Sequence, residues 1–154
     1  MRVQRYNKDM TELTIMTLAE LEAEADRFAG RLIPKEQGAT LVTLSGELGA
    51  GKTAFTQAVA RVLGVKSVVT SPTFVLEKGY PLVHTSFTKL VHIDAYRLES
   101  GAGLAPLNFD ELMHDAGTLI MLEWPERVAD ALPAPTIRMY LIVNPDGSRT
   151  ISYE

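Results

Sequence analysis

The chain has 154 residues, 46% hydrophobic and 22% charged, with no cysteine and a net charge of −4. That length holds one domain with a real core and is short for two, and the composition fits neither a disordered nor a membrane chain. The lack of cysteine removes disulfides, thiolate zinc sites and a cysteine nucleophile, and the negative charge opposes a broad electrostatic grip on nucleic acid.

No apolar run approaches the ~20 residues of a transmembrane helix, and the opening MRVQRYNKDM lacks the apolar core of a signal peptide. A cytoplasmic location is the expectation, and the cysteine count agrees with a reducing compartment. Residues 1–10 are read as a flexible leader and 11–154 as a single domain. Thr11–Met16 alternates weakly and predicts an edge strand. Thr17-Leu-Ala-Glu20 is a capping-box pattern, and Leu18, Leu21, Ala25, Phe28 and Leu32 then keep helical spacing until Gly30 and Pro34 close the element.

The stretch Thr40–Leu63, TLVTLSGELGAGKTAFTQAVARVL, carries the strongest signal. A β-favouring run (Leu41, Val42, Leu44) leads into Gly46-Glu47-Leu48-Gly49-Ala50-Gly51-Lys52-Thr53, which fits the phosphate-binding pattern G-x-x-x-x-G-K-[ST]. The glycines let consecutive N–H groups point inward at phosphate oxygens. Lys52 brings a point charge for the β- and γ-phosphates, and Thr53 a hydroxyl for Mg²⁺. Phe55, Val59, Val62 and Leu63 recur at helical steps from Lys52, with Gly64 as C-terminal cap, so the positive end of a helix faces the phosphates.

Beyond it, Val65–Val69 leads to Thr70-Ser71-Pro72-Thr73, where the proline holds Ser71 extended. This loop is the candidate for sensing a γ-phosphate. Phe74–Glu77 and Ser86–Ile93 read as strands flanking a Gly79-Tyr80-Pro81 turn, which would add antiparallel pairs to a parallel sheet. Glu99–Pro106 reads as a Gly/Ala-rich loop and Asn108–His114 as a short helix. Thr118–Leu122 is a continuous apolar run of a central strand. Pro125 suits the first turn of a helix over Glu126–Leu132, stopped by Pro133. Thr136–Val143 alternates, Asn144–Gly147 turns, and Arg149–Tyr153 returns as an edge strand.

A phosphate loop needs an acidic partner at a neighbouring strand end. Asp94 ends one run (Leu90–Ile93) and Glu123 another (Leu119–Leu122), and strand carboxyl ends converge on the ligand crevice of an open α/β sheet. Either carboxylate could ligate the metal. Tyr96 and Arg97 are candidates for ordering a phosphate or a partner. Trp124, the single tryptophan, reads as core or interface packing. His84, His92 and His114 lack metal-ligand spacing, and His92 reads as a satisfied, semi-buried side chain. No Asn-Lys-x-Asp element follows the loop, so ATP is the default nucleotide.

In order, GELGAGKTAFTQAVARVLG, VTSPTF, HIDAYRL and LEWPERV make the chain resemble the TsaE family, the bacterial ATPases of tRNA threonylcarbamoyladenosine biosynthesis. Glu47 stands where the commoner family form has aspartate. The resemblance implies a P-loop NTPase-like three-layer α/β domain with a mixed parallel/antiparallel central sheet. It implies an ATPase with ATP and Mg²⁺ as cofactors, slow alone and stimulated by partners. A TsaB–TsaD complex would transfer threonylcarbamoyl to the tRNA adenosine beside the anticodon, with tRNA met mainly through those partners and no membrane involved. By position, Gly46 to Ala54 (Gly46, Glu47, Leu48, Gly49, Ala50, Gly51, Lys52, Thr53, Ala54) together with Thr73 and Trp124 would bind nucleotide. Thr53, Glu123 and Asp94 would serve the metal, and Lys52, Asp94 and Glu123 catalysis. A small-molecule P-loop kinase is the alternative; its lid tip would be Gly101–Pro106, which carries no arginine. A nucleotide-gated binding module with negligible hydrolysis is a third reading.

Overall fold

A computed structural model describes residues 3–6, 10–67 and 76–154. Its frame is an eight-stranded sheet in the order β1-β2-β8-β7-β3-β6-β5-β4. The strands are β1 (Val3–Tyr6), β2 (Met10–Ile15), β3 (Thr40–Ser45), β4 (Glu77–Pro81), β5 (Lys89–Asp94), β6 (Thr118–Glu123), β7 (Ile137–Val143) and β8 (Arg149–Tyr153). β7, β3, β6 and β5 run parallel, while β1, β2, β8 and β4 pair antiparallel with their neighbours.

Period-two side-chain alternation makes the two cores. From β3 and β6, Val42, Leu44, Leu119 and Met121 point to one face, where helices α1 (Leu18–Arg31) and α2 (Lys52–Val62) pack through Phe28, Phe55 and Val59. Leu41, Ile120 and Leu122 point to the other, against Leu104, Phe109 and Val128 from the 3-10 turn Gly101–Leu107, the short helix α3 (Phe109–His114) and the segment after β6. Strands buried on both faces read as unbroken apolar runs, and β6 does.

The caps follow the sequence. Thr17 Oγ1 accepts from the Glu20 N–H at 3.2 Å, and Glu20 Oε2 accepts from the Thr17 and Met16 N–H groups, closing the box. Those backbone bonds, Met16 first, hold the Glu20 carboxyl below its ordinary value. At the end of α2, Gly64 at φ +86° donates to Arg61 O and Val65 donates to Ala60 O, the paired bonds of a Schellman ending.

Several expectations need correction. Val3–Tyr6, inside the stretch read as a flexible leader, pairs with Met10–Leu13 as β1. β2 and β8, both expected at an edge, are therefore interior, and the edges are β1 and β4. Gly79–Pro81 is not a turn but the second half of β4, with Pro81 at the strand's end on the sheet edge, where a missing N–H costs little. The reversal lies at 82–88, where His84 takes a left-handed conformation and Thr85 Oγ1 bonds the Phe87 backbone, so β5 begins at Lys89 and not Ser86. The expected helix over Glu126–Leu132 is one 3-10 turn, Pro125–Arg127. Seven residues between two prolines return too few hydrogen bonds to offset helix nucleation, and Asp130 instead accepts from the Gly101 N–H at 2.7 Å. Gly101 in turn lies so close to Ala131 that a Cβ there would sit 2.1 Å from the Ala131 Cβ. That contact converts the expected Glu99–Pro106 loop into a packed 3-10 turn.

Candidate functional site

The loop Gly46–Gly51 joins the half-buried end of β3, Ser45, to α2. Its glycines do separable jobs. A Cβ on Gly46 would lie 2.5 Å from Leu141 O, so only glycine lets the loop rest against β7. Gly49 (φ +80°) and Gly51 (φ +107°, the residue before α2) take left-handed backbone that other residues resist. The turn thus delivers the first N–H groups of α2 to one point, without a side-chain cap competing for them.

Lys52 is 4% exposed, and its Nζ donates to Gly46 O at 2.6 Å and Glu47 O at 2.9 Å. The same ammonium lies 4.2 Å from the centre of the Trp124 ring. Burial pushes the Lys52 pKa down, against the opposing pull of Glu123, Glu126, Asp94 and Glu47. The desolvated ammonium is what would gain by receiving an anion, while the carboxylates around it favour a cation arriving with that anion. Thr53 Oγ1 donates to Glu123 Oε1 at 2.8 Å, and His92 Nε2 meets that same oxygen at 2.8 Å. Asp94 aligns with Glu123 across β5 and β6, and its Oδ1 accepts from the Tyr96 N–H at 3.0 Å.

Lys52, Thr53, Ala54, Asp94, Glu123 and Trp124, with Leu48, Gly49 and Gly51, line one cleft of about 310 Å³. Trp124 is held over Lys52 by a left-handed backbone (φ 60°, ψ 51°) and by the Tyr96 ring 4.9 Å away, and Tyr96 stacks in turn under Arg127. The packing role expected of Trp124 is met at the cleft wall. Thr70–Thr73, and with it Thr73 as a nucleotide contact, lies outside the described residues.

The donor set suits the expected groups. Hydroxyl and carboxylate oxygens match a hard divalent cation such as Mg²⁺, and because the Thr53 hydroxyl gives its proton to Glu123, its lone pairs remain for a cation. Among the described residues no group of three or more His, Asp or Glu is placed to hold a metal ion.

Sequence reasoning missed three features. His92 is fully buried and bound to Glu123, not semi-buried and satisfied, and its Nδ1 has no partner among the described residues. The signal was present: His92 stands two residues before Asp94 and so shares its strand face. On the other flank of the loop lies an apolar hollow of about 360 Å³, lined by Ile15, Met16, Leu18, Leu21 and the backbone of Gly49–Gly51. Met16 and Leu18 are more than 60% exposed there. Arg149 sits on its rim, donating to Gly49 O at 3.4 Å and Gly147 O at 2.7 Å. Residues distant in the chain meet at this hollow, which no local pattern announces.

The family model described as "Threonylcarbamoyl adenosine biosynthesis protein TsaE" matches residues 19–151. A protein of Treponema pallidum, "tRNA threonylcarbamoyladenosine biosynthesis protein TsaE", is 41% identical over 80% of this chain and 85% of its own. A protein of the same description from Streptomyces coelicolor is 40% identical over 71% and 72%. The crystal structure of YdiB from Bacillus subtilis superposes with a TM-score of 0.74 and 26% identity, covering 99% of this chain and 86% of that one. The mixed, helix-flanked sheet is the three-layer P-loop NTPase-like fold. The chain belongs to the TsaE family and takes part in tRNA threonylcarbamoyladenosine biosynthesis.

Proposed function

We propose that this protein binds ATP with Mg²⁺ across Gly46–Thr53 and hydrolyses it slowly, in the cytoplasm, and that this cycle supports threonylcarbamoyl transfer to a tRNA adenosine by a TsaB–TsaD complex. The observation that carries the reading is the convergence of Lys52, Thr53, Asp94 and Glu123 at the start of α2. The loop amides and the positive helix end hold the phosphates, and Lys52 exchanges its two loop carbonyls for phosphate oxygens. Thr53 and Glu123 hold the metal, and Asp94 supports the metal or the attacking water. Bound Mg²⁺ supplies neutralisation of the β- and γ-phosphate charge. The apolar hollow beside Met16 and Leu18 receives the base, across the loop from the carboxylates. Thr70–Thr73 serves as the γ-phosphate-sensing loop, Thr73 touching nucleotide. The acidic charge of the chain agrees with tRNA being met mainly through the partners.

A kinase reading has less support. The segment that would be its lid is packed by Gly101 against Ala131 and buries Leu104 in the core. Calorimetry with Mg-ATP, followed by phosphate release with and without a TsaB–TsaD pair, tests the proposal. Heat of binding and stimulated release are expected; absence of either, or phosphate transferred to an added metabolite in place of water, would overturn it.

A further inference from the structure

Glu123 is gripped from two elements at one oxygen. Thr53 on α2 and His92 on β5 both meet Oε1 at 2.8 Å, and among the described residues no hydrogen bond reaches Oε2. We propose that His92 is a positioning residue for Glu123: its Nε2–H fixes Oε1 from the sheet side, so that Oε2 is the oxygen presented to Mg²⁺. This rests on the nucleotide reading above.

The observations separate this role from core filling. His92 is 0% exposed, between Val91 and Ile93 on a strand whose last five residues are buried. An apolar side chain of similar volume would pack there without burying polar atoms. The imidazole instead leaves Nδ1 unmet among the described residues, a cost that only one contact repays: the bond to Glu123. A carboxylate oxygen accepts, so in this contact Nε2 is the donor. Thr53 cannot do this work alone. Its hydroxyl is itself a candidate metal contact, so the fixed reference for Glu123 has to come from elsewhere, and β5 supplies it. Partners that orient a ligating side chain typically matter ten- to a hundredfold in metal affinity.

The experiment compares wild type, His92→Gln and His92→Leu in binding a fluorescent ATP analogue, in EDTA and along a Mg²⁺ titration. Expected is equal affinity in EDTA for all three, a Mg²⁺ half-saturation about tenfold higher for His92→Leu, and a value near wild type for His92→Gln, whose amide can still donate. An unchanged half-saturation in His92→Leu, or equal shifts in both variants, would overturn the inference and leave the nucleotide reading standing. Wild-type protein that binds no nucleotide in either condition removes both. Should His92→Leu not fold, the ¹⁵N imidazole spectrum of the wild type decides, with three histidines to assign. A proton on Nε2 of His92 supports the proposal; a proton on Nδ1 alone overturns it.

Discussion

The strand β6 and the half-covered hairpin β7–β8 are built on opposite terms. β6 is buried at all six positions, with Leu119 and Met121 facing α1 and α2 and Ile120 and Leu122 facing the other core. β7 alternates, with Met139 and Leu141 inward and Arg138, Tyr140 and Ile142 outward. The carboxylates of the covered strands stand where those strands end, Asp94 on β5 and Glu123 on β6, with His92 buried two residues behind Asp94. The hairpin contributes shape: Leu141 O leaves no room for a Cβ at Gly46, and the Arg149 side chain sits on the rim of the apolar hollow. Chemistry gathers at the end of the covered strands, and shape comes from the half-covered ones.

The largest effect should come from breaking the covered strand itself. Ile120→Ala should cost about 2–5 kcal/mol, whereas Ile142→Ala, at a side chain 53% exposed, should stay within about 0.5 kcal/mol. Urea unfolding of both variants measures the contrast, and equal losses would erase it.

Next is the cation. Lys52→Ala should weaken Mg-ATP by at least tenfold, about 1.5–3 kcal/mol for a charge-assisted contact, in a protein that still folds, as read by calorimetry and circular dichroism. Its pH dependence has a definite sign. Because burial lowers the folded pKa of Lys52, the unfolded chain holds more protons in the window between that value and the ordinary lysine value. Stability of the nucleotide-free protein should therefore rise with pH across that window while ATP affinity falls. The Lys52→Ala background should lose both slopes, which thermal melts and titrations at matched pH would show.

A smaller effect separates the two flanks of the loop. Leu18→Ser should weaken ATP by about 1 kcal/mol, for an exposed apolar side chain that a bound base would partly cover, and leave inorganic tripolyphosphate binding unchanged. Equal weakening of both ligands would remove the base from that hollow. Smallest is the sheet edge. Burial raises the Glu77 pKa against the pull of Lys89, so its ionised form costs stability that is absent below the ordinary glutamate range. Glu77→Gln should raise Tm slightly at pH 7 and lose the advantage in acid, with no change in nucleotide binding.

The covered half was legible because local pattern and tertiary role coincide there. The run before Gly46, the glycine spacing and the strand-end carboxylates each signal a backbone geometry as well as a residue type. The margins were illegible for a physical reason. Whether β2 or β8 is interior depends on a neighbour, β1, supplied by residues with no pattern of their own. The helix after Pro125 failed because Asp130 and Ala131 had partners at Gly101, a contact between segments about thirty residues apart. His92 was visible as a residue and invisible as a role, since its partner Glu123 lies on the neighbouring strand.

Trp124 has a practical consequence. The chain holds a single indole, and its ring rests against the very ammonium group from which arriving phosphate would draw charge. Emission excited at the red edge of indole absorption, where the five tyrosines do not absorb, therefore originates wholly at this cleft wall. The molecule carries its own lamp at the point where occupancy is decided, and a stopped-flow trace of that glow would time the event without any dye.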